Sequence, residues 1–346
     1  MKNRVDDDWF VMETVKARLL EPSGEPAERS IQIRKSPVSG RTSRIAFSRI
    51  NETEAGTDQL PPPPPDARQQ AACPFCRPQV LERTPRLIPQ IHPAGRMVRG
   101  ESLLFPNLFP YGAWSAVSLF DNRHFVEIGT AGEKSYADCL INCADYLKRV
   151  KRYDPSAVFL AITQNHLPSA GGSMVHPHLQ VQADAVASNH HRFLADRTLA
   201  HRQATGRGLF EALLERERTI GERVIGRTGP WTWVAAFAPE GFFEIWAVCP
   251  GKTSLLALEK DAWHHLAAGM IRVQKLYRSL YRNGYNFGLL SVERENSTLE
   301  LRAVMMVRSN YAPWVRSDHT GFEVMLGDMA TFSAPEETAR LARAFW

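Results

Sequence analysis

The stretch Gly171-Gly172-Ser173-Met174-Val175-His176-Pro177-His178-Leu179-Gln180 decides how the rest of the sequence is interpreted. In an extended chain, side chains two residues apart point to the same face, so His176, His178 and Gln180 project together. Three polar side chains on one face are not typical of a core strand. An imidazole is a competent nucleophile near neutral pH and forms a labile bond to phosphorus. The pattern therefore predicts that His178 reacts with a phosphate compound.

The neighbours of His178 favour the same chemistry. An amide such as that of Gln180 can hold a phosphate oxygen without adding a repelling negative charge. Gly172 and Ser173 let backbone N–H groups approach phosphate oxygens. A single histidine in an apolar strand is usually a core residue with its hydrogen bonds satisfied, but the triplet and its glycine lead-in favour a site.

Composition narrows the class of protein. The chain has 346 residues, of which 44% are hydrophobic and 23% charged, as in an ordinary globular protein. No apolar run approaches the roughly 18 residues of a membrane span, and residues 1–8 lack the apolar part of a signal peptide. We expect a cytoplasmic protein without membrane contact.

Charge and cysteine usage exclude two further classes. The basic residues are 33 Arg and 9 Lys, with a net charge of +5. Arginine suits phosphate recognition, although coding bias explains the excess equally well, and the absence of a basic stripe argues against nucleic-acid binding. Five cysteines argue against a disulfide framework. Three of them, Cys139, Cys143 and Cys249, are predicted to be small buried hydrophobic residues.

Hydrophobic periodicity predicts the order of the larger elements. A hairpin over 34–48 and a polyproline-like loop over 51–70 come first. Strands are predicted at 113–120, 157–164, 179–183, 231–237, 243–249, 286–292 and 301–307, and helices at 135–153, 193–223 and 261–282. Both halves have a similar order, which suggests duplication of one α+β unit.

At the histidine stretch the sequence resembles a known family. Asn165, Gly172-Ser173 and His176-Pro177-His178-x-Gln180 are similar to the active-site segment of galactose-1-phosphate uridylyltransferases, a branch of the histidine-triad superfamily. The resemblance implies that His178 takes the nucleotidyl group and that Gln180 holds the transferred phosphoryl. It also implies that Asn165 and Ser173 contact phosphates and that His176 binds zinc.

A zinc site can be sought among the remaining residues. Cys73-Pro74-Phe75-Cys76 supplies two thiolates from one turn, and zinc takes four nitrogen or sulfur ligands. Taken alone, the pair could also be a redox dithiol. The family carries Cys-Pro-Phe-Cys as zinc ligands and a histidine after an apolar run, which corresponds to His124. The resemblance therefore implies a structural zinc held by Cys73, Cys76, His124 and His176.

The resemblance covers most of the chain. The hairpin over 34–48 is similar to the family's opening segment, and Phe105–Pro110 is similar to a segment whose asparagine contacts the nucleotide. Asn107 is therefore a candidate nucleotide contact, or simply a turn residue. The implied fold is α+β, with two histidine-triad-like units of antiparallel sheet flanked by helices. We divide the chain into a polar segment (1–30), a first unit (31–195) and a degenerate second unit (196–346), and expect a homodimer.

The second half departs from the family. The strand over 301–307 has no His-x-His pair, so no second metal is expected, and His190 and His191 are predicted to be surface residues. Ser317, Phe322 and Met329 replace polar residues of the family's sugar-phosphate pocket. Without those polar partners a sugar phosphate would be poorly held, which puts galactose 1-phosphate in doubt as the acceptor.

Three functions follow as hypotheses. The first is a nucleotidyltransferase that moves a nucleoside monophosphate, UMP in the first instance, from a nucleotide sugar through His178 to a phosphorylated small-molecule acceptor. The second is a nucleotide-sugar or dinucleotide phosphorylase with inorganic phosphate as acceptor. The third is a non-catalytic nucleotide-binding protein, which would bind nucleotide without becoming labelled.

Overall fold

The computed structural model describes residues 9–46, 59–310, 317–319 and 321–346. Three predicted features therefore fall partly or wholly outside the described residues: residues 1–8, the end of the first hairpin at Phe47 and Ser48, and the start of the predicted loop at 51–58. The helices and strands of the described part are, in chain order, β1 (Met12–Leu20), β2 (Pro26–Lys35), β3 (Thr42–Ala46), α1 (Gln79–Arg83), β4 (Met97–Arg99), β5 (Ser102–Pro106), β6 (Trp114–Leu119), α2 (Glu133–Tyr153), β7 (Phe159–His166), β8 (His178–Asp184), α3 (Asn189–Thr205), α4 (Leu209–Ile220), β9 (Val224–Thr228), β10 (Trp231–Ala235), β11 (Phe242–Cys249), α5 (Lys260–Ser279), β12 (Tyr285–Val292), β13 (Leu301–Val307), α6 (Gly321–Leu326), β14 (Met329–Thr331) and α7 (Pro335–Ala342).

A ten-stranded antiparallel sheet dominates the fold. Its strand order is β4-β5-β6-β8-β7-β12-β13-β11-β10-β9, so five strands come from residues 97–184 and five from residues 224–307. Both halves have the same connectivity. From the outer edge of the sheet inward, three strands follow one another in chain order. A helix comes next in the chain, and the two strands after it lie in the sheet in reverse order. The two halves meet where β7 pairs with β12 over eight residue pairs.

The sequence missed β4, β5 and β9, which lie at the two edges of this sheet. These strands have three to five residues each, which is too short for alternation to be distinguished from a loop. The other seven strands of the sheet were predicted: six of them have six to eight residues, and the five residues of β10 are all apolar or Thr and all buried.

Helices α2 and α5 pack side by side on one face of the large sheet. Their apolar stripes meet the inward residues of the strands, so Leu140 of α2 and Met270 of α5 share one core with Leu179 and Val181 of β8. All four side chains are fully buried. Because side chains alternate along a strand, the other residues of β8 must face the opposite side of the sheet. None of the helices in the described residues has the length and apolar character required to cross a bilayer.

A second sheet of four strands corrects the prediction for the first 30 residues. Its order is β1-β2-β3-β14, with β14 parallel to β3. The sequence predicted no element before residue 31, yet β1 and half of β2 lie there and pair over nine residues. Strand β1 is almost entirely exposed, so its backbone pairing stabilises it without the buried face that makes a strand visible in a sequence.

The long polar helix predicted over 193–223 is two helices. Helix α3 ends at Gly206, which has a positive φ of 74°, and Gly208 precedes α4. A left-handed residue at this position is a common helix terminator, and glycine adopts it without steric cost. The predicted polyproline-like loop is irregular from residue 59 to Pro64 and then forms short 3-10 turns at Pro65–Arg68 and Gln70–Ala72.

A buried ion-pair network fastens the smaller sheet to the second half of the large one. Arg34 of β2 is 4% exposed and donates to both carboxylate oxygens of Glu336, at 2.9 and 3.0 Å. Arg223 also donates to Glu336, at 3.0 Å, and pairs with Glu217. Both guanidinium groups lie over the ring of Phe237. Glu336, at the start of α7, is therefore shared by two arginines.

Removing this carboxylate should destabilise the protein. Glu336→Ala leaves two buried guanidinium groups without their common partner, and we expect a loss of about 3 kcal/mol in the free energy of unfolding in urea. Glu337→Ala is the matched control, since its pair with Arg340 is exposed and should contribute less than about 0.5 kcal/mol. Equal effects of the two substitutions would contradict a structural role for the network.

The contribution of Glu336 should depend on pH. Burial alone would raise the pKa of this carboxyl, but the hydrogen bonds and charge of Arg34 outweigh it and hold the pKa below its ordinary value of 4.5. A lowered pKa means that the stabilisation is present above pH 4.5 and is lost as the pH falls further. The difference between wild type and Glu336→Ala should therefore shrink in acid.

Candidate functional site

His178 and Gln180, two residues of the polar triplet, lie at the start of β8 and face away from the helices, and His176 precedes the strand. His178 and Gln180 alternate with the buried Leu179 and Val181, so both polar side chains lie on the face opposite α2. Strand β8 lies between β6 and β7 in the middle of the first half-sheet. A central strand is held on both sides, which gives these two side chains a rigid base.

One hydrogen bond determines the state of the His178 ring. Nδ1 lies 2.8 Å from the backbone carbonyl of His176. A carbonyl only accepts, so Nδ1 carries the proton and the lone pair is on Nε2. His178 is 6% exposed, and burial lowers the pKa of its imidazole, with the bond to His176 acting in the other direction. The ring is therefore neutral near pH 7, with a nucleophilic nitrogen available.

Asn165 and Gln180 share this face of the sheet with His178. Thr163 of β7 is paired with Gln180 of β8, and Asn165 and His178 each lie two residues from that pair toward the same end. By the alternation of the strands, the side chains of His178, Gln180 and Asn165 all project from one surface. Gln180 and Asn165 are only partly buried, so both amides are accessible.

Gly172 and Ser173 lie in the loop between β7 and β8 and have different roles there. A Cβ at Gly172 would lie 2.7 Å from the Asn165 carbonyl oxygen, so no larger residue fits there. Its N–H is already donated to the Leu167 carbonyl at 3.1 Å and is not available to a phosphate. Ser173 is exposed, and neither its N–H nor its hydroxyl is bonded within the described part of the chain. Gly172 shapes the turn, whereas Ser173 has free polar groups.

Cys73, Cys76, His124 and His176 form a buried cluster beside this site. A turn closed by the Cys76 N–H and the Cys73 carbonyl, at 3.2 Å, brings the two thiols together. The Cys76 Sγ lies 3.3 Å from Nδ1 of His124 and 3.4 Å from Nδ1 of His176, and the Cys73 Sγ lies 3.9 Å from Nδ1 of His176. Tetrahedral zinc with bonds of about 2.3 Å to sulfur and 2.0 Å to nitrogen separates such atoms by about 3.6 Å.

The outer atoms of the two histidines support the same conclusion. Nε2 of His124 lies 2.8 Å from the Asp66 carbonyl, and Nε2 of His176 lies 3.3 Å from the Asp121 carbonyl. Both Nε2 atoms must donate, which leaves the Nδ1 lone pairs directed at the thiols, as in metal-ligating histidines. Burial and the neighbouring Cys73 raise the pKa of Cys76 to about 12, and a bound cation would offset both. The cluster could therefore hold a metal ion such as zinc.

Phe75, inside the Cys-x-x-Cys turn, is a site residue that the sequence did not single out. Its ring packs edge-on against the ring of His178, with centroids 5.4 Å apart, and also against Phe105. The turn that carries the two cluster cysteines thus also packs a side chain against the His178 ring. A phenylalanine between two cysteines gives no signal of this role before the fold is known.

Other predicted residues lie farther from His178. Asn107 follows β5 and is level with Gln182, four residues along β8 from His178, which is roughly 13 Å. Its Oδ1 accepts the N–H of Phe109, so it is at least a turn residue. The surface prediction for His191 was wrong: it is 4% exposed and lies 2.9 Å from the Leu160 carbonyl, while His190 is exposed.

Ser317, Phe322 and Met329, which the resemblance aligns with the family's sugar-phosphate pocket, lie around the smaller sheet. Ser317 bonds the backbone of His319, Phe322 lies in α6 beside Arg44, and Met329 is in β14. Cys139, Cys143 and Cys249 are buried and free of disulfides, as predicted.

Comparison with solved structures identifies the class of fold. The chain has the α+β fold, with a large antiparallel sheet and flanking helices, of the solved ADP-glucose phosphorylase, GalT-like protein and uridylyltransferase structures, so the α+β fold predicted from the sequence is confirmed. No family model matches the sequence.

Three solved structures carry this comparison. An ADP-glucose phosphorylase from Arabidopsis thaliana, with bound ADP-glucose, matches at a TM-score of 0.69 and 20% identity over 90% of this chain and 98% of that one. A GalT-like protein from Arabidopsis thaliana matches at 0.68 and 21%, and a uridylyltransferase at 0.65 and 18%, with the same two coverages. An uncharacterized protein of Archaeoglobus fulgidus is 27% identical over 337 residues, which is 97% of this chain and 98% of that protein.

The cluster makes a prediction about metal content. We expect protein purified without chelators to contain about one zinc per chain by mass spectrometry of the metal, because four nitrogen and sulfur donors favour zinc. Cys76→Ser and His124→Ala should each reduce zinc to well below one equivalent. Cys249→Ser, which changes a buried cysteine outside the cluster, should retain it. Full zinc occupancy in Cys76→Ser would contradict the site.

Proposed function

We propose that this protein is a nucleotidyltransferase that moves a nucleoside monophosphate, UMP in the first instance, from a nucleotide sugar to a phosphorylated acceptor through a covalent bond to His178. The observation that carries the proposal is the hydrogen bond from His178 Nδ1 to the His176 carbonyl. It leaves a neutral imidazole with its Nε2 lone pair on the same face as two accessible amides. The nucleotide sugar bound in the plant structure of the same fold supports this class of substrate.

The first step forms a phosphoramidate. Nε2 of His178 attacks the α-phosphorus of the donor, the bond from that phosphorus to the bridging oxygen breaks, and the sugar phosphate leaves with the electron pair. The ring becomes positively charged, and its proton stays on Nδ1, where its hydrogen bond to the His176 carbonyl stabilises that charge. Gln180 and Asn165 donate to the non-bridging oxygens, where negative charge is concentrated in the transition state.

The second step regenerates the imidazole. A phosphate oxygen of the acceptor attacks the same phosphorus, the N–P bond breaks, and its electron pair returns to Nε2. Ser173 and Asn107 are proposed to contact the phosphates and the nucleoside respectively. Their separation along the sheet suits a nucleotide that lies along β8, with its phosphate near His178 and its base toward Asn107.

The proposed metal is structural and takes no part in these steps. Zinc on His176 would fix the residue whose carbonyl orients His178, and Phe75 links the cysteine turn to the same ring. The group would supply rigidity, while the reacting atoms come from His178 and its amide neighbours. The homodimer that the family resemblance implies stays a prediction, which light scattering on the purified protein can check.

The covalent intermediate can be tested directly. Incubation with UDP-glucose or ADP-glucose, without acceptor, should add one nucleoside monophosphate to the intact mass and release one equivalent of sugar phosphate. His178→Ala should abolish both signals, because the proposed bond to the nucleotidyl group is made by Nε2 of His178. His264→Ala removes an exposed imidazole on α5 and should label like the wild type. A wild-type chain that never gains this mass would overturn the proposal.

A phosphorylase is the second candidate, and the acceptor distinguishes it. Phe322 and Met329 stand where the family has polar residues, and inorganic phosphate needs no sugar pocket. The labelled enzyme should be discharged by a sugar phosphate if it is a transferase and by inorganic phosphate if it is a phosphorylase. Production of free nucleoside diphosphate marks the second outcome.

A further inference from the structure

We propose that Asn286, Arg308 and Asp318 are positioning residues that orient the side-chain amide of Asn165, so that its Nδ2 faces the transferred phosphate. The inference rests on the proposed function, since it assigns the second half of the chain a role in that same site. It starts from the pairing of β7 and β12, where Asn165 and Asn286 are directly opposite each other.

The two asparagines are joined side chain to side chain. Nδ2 of Asn286 donates to Oδ1 of Asn165 at 2.7 Å, and it also donates to the Ala170 carbonyl at 2.9 Å. Because the oxygen and nitrogen ends of an amide have nearly the same shape, only the neighbours decide which end points where. The Ala170 carbonyl can only accept, so the end of Asn286 that faces it must be the nitrogen.

Arg308 imposes the same orientation from the other side. Its Nη1 donates to Oδ1 of Asn286 at 2.7 Å. A guanidinium has donors and no acceptor, so the end of Asn286 that faces it must be the oxygen. The amide of Asn286 therefore has an obligate donor at one end and an obligate acceptor at the other. Rotating the Asn286 amide by half a turn would break the hydrogen bonds to both the Ala170 carbonyl and Arg308.

Asp318 holds Arg308 in place. Its two carboxylate oxygens accept Nε and Nη2 of Arg308, each at 2.6 Å. One of these oxygens also accepts the N–H of Ser309 at 3.1 Å. The bidentate pair fixes the plane of the guanidinium and directs its remaining nitrogen at Asn286.

The consequence for Asn165 is an amide with a fixed direction. Its Oδ1 is occupied by Asn286, so its Nδ2 must point elsewhere, and that nitrogen has no hydrogen bond to the described residues. Asn165 lies on the same face as His178, and phosphate oxygens are acceptors only. In the opposite orientation Asn165 would present its oxygen to the phosphate and repel it.

The hydrogen-bonded chain from Asp318 through Arg308 and Asn286 to Asn165 is called the relay below. Asn286→Asp tests whether the relay sets the orientation of the Asn165 amide. The carboxylate keeps the shape and its bond to Arg308, but it can only accept, so Asn165 must turn its Nδ2 toward β12. We expect the rate of nucleotidyl-enzyme formation at saturating UDP-glucose or ADP-glucose to fall about 100-fold, as for the loss of one transition-state donor. Asn310→Asp makes the same charge change two residues from Arg308, outside the relay, and should keep the rate within about twofold.

A double substitution separates positioning from a structural defect. In Asn165→Ala the amide is already absent, so adding Asn286→Asp should lower the rate by less than twofold more. If Asn286→Asp acted through a general loss of stability or site geometry, it would lower the rate by the same factor in wild type and in Asn165→Ala. A 100-fold further loss in the Asn165→Ala background, or labelling of Asn286→Asp at the wild-type rate, would overturn the proposal.

A second measurement does not depend on activity. In wild type the Asn165 side-chain amide protons, followed by NMR, should exchange freely with water, and in Asn286→Asp they should become protected. If the wild-type chain fails to label, the proposed function fails, and the exchange measurement still judges the relay. Protected Asn165 protons in wild type, or no change in the variant, would overturn the relay itself.

Discussion

The pairing of β7 with β12 is the constraint on which the rest of the structure depends. It joins two half-sheets of the same connectivity into one sheet and so places the second half beside the residues that surround His178. Each half buries one helix, α2 or α5, against the same face of the sheet. The opposite face carries His178 beside an apolar cluster that includes Phe105 and Val117, and in the second half it packs against α3 and α4. The second half has no counterpart of the His176–Gln180 stretch, yet through Asn286 and Arg308 it reaches the site directly.

The carbonyl of His176 links the Cys₂His₂ cluster to His178, in addition to the ring contact of Phe75. The ring of His176 belongs to the Cys₂His₂ cluster, whereas its backbone oxygen accepts the Nδ1 proton of His178. One residue therefore connects the geometry of the cluster to the protonation state of the nucleophile. The short spacing between the two histidines is what makes this possible, because residues two apart share a face and the intervening Pro177 stiffens the backbone between them.

Sequence patterns predicted the features of this protein that can be recognised within a short stretch of the chain. The Cys73–Cys76 pair and the His178–Gln180 strand stood out because their residue types and spacing are unusual for a core, whereas His124 and His176 were added to the cluster by the family resemblance. The longer strands and α2 were found because one face of each is buried. By contrast, β1 is exposed and held by backbone bonds, and the break between α3 and α4 depends on one left-handed glycine. Asn286 and Phe75 were missed, since their importance comes from contacts across the fold.

The shared carboxylate of Glu336 has a further consequence for how the chain assembles. Strand β3 pairs with β14, and Arg34 pairs with Glu336, across almost the whole sequence. During synthesis the hairpin of β1 and β2 emerges early, but the partners that fasten it emerge almost 300 residues later. Until then Arg34 must stay hydrated, because its guanidinium has no counter-charge to be buried with. The attachment of this hairpin through Glu336 therefore cannot be completed until α7 has been synthesised.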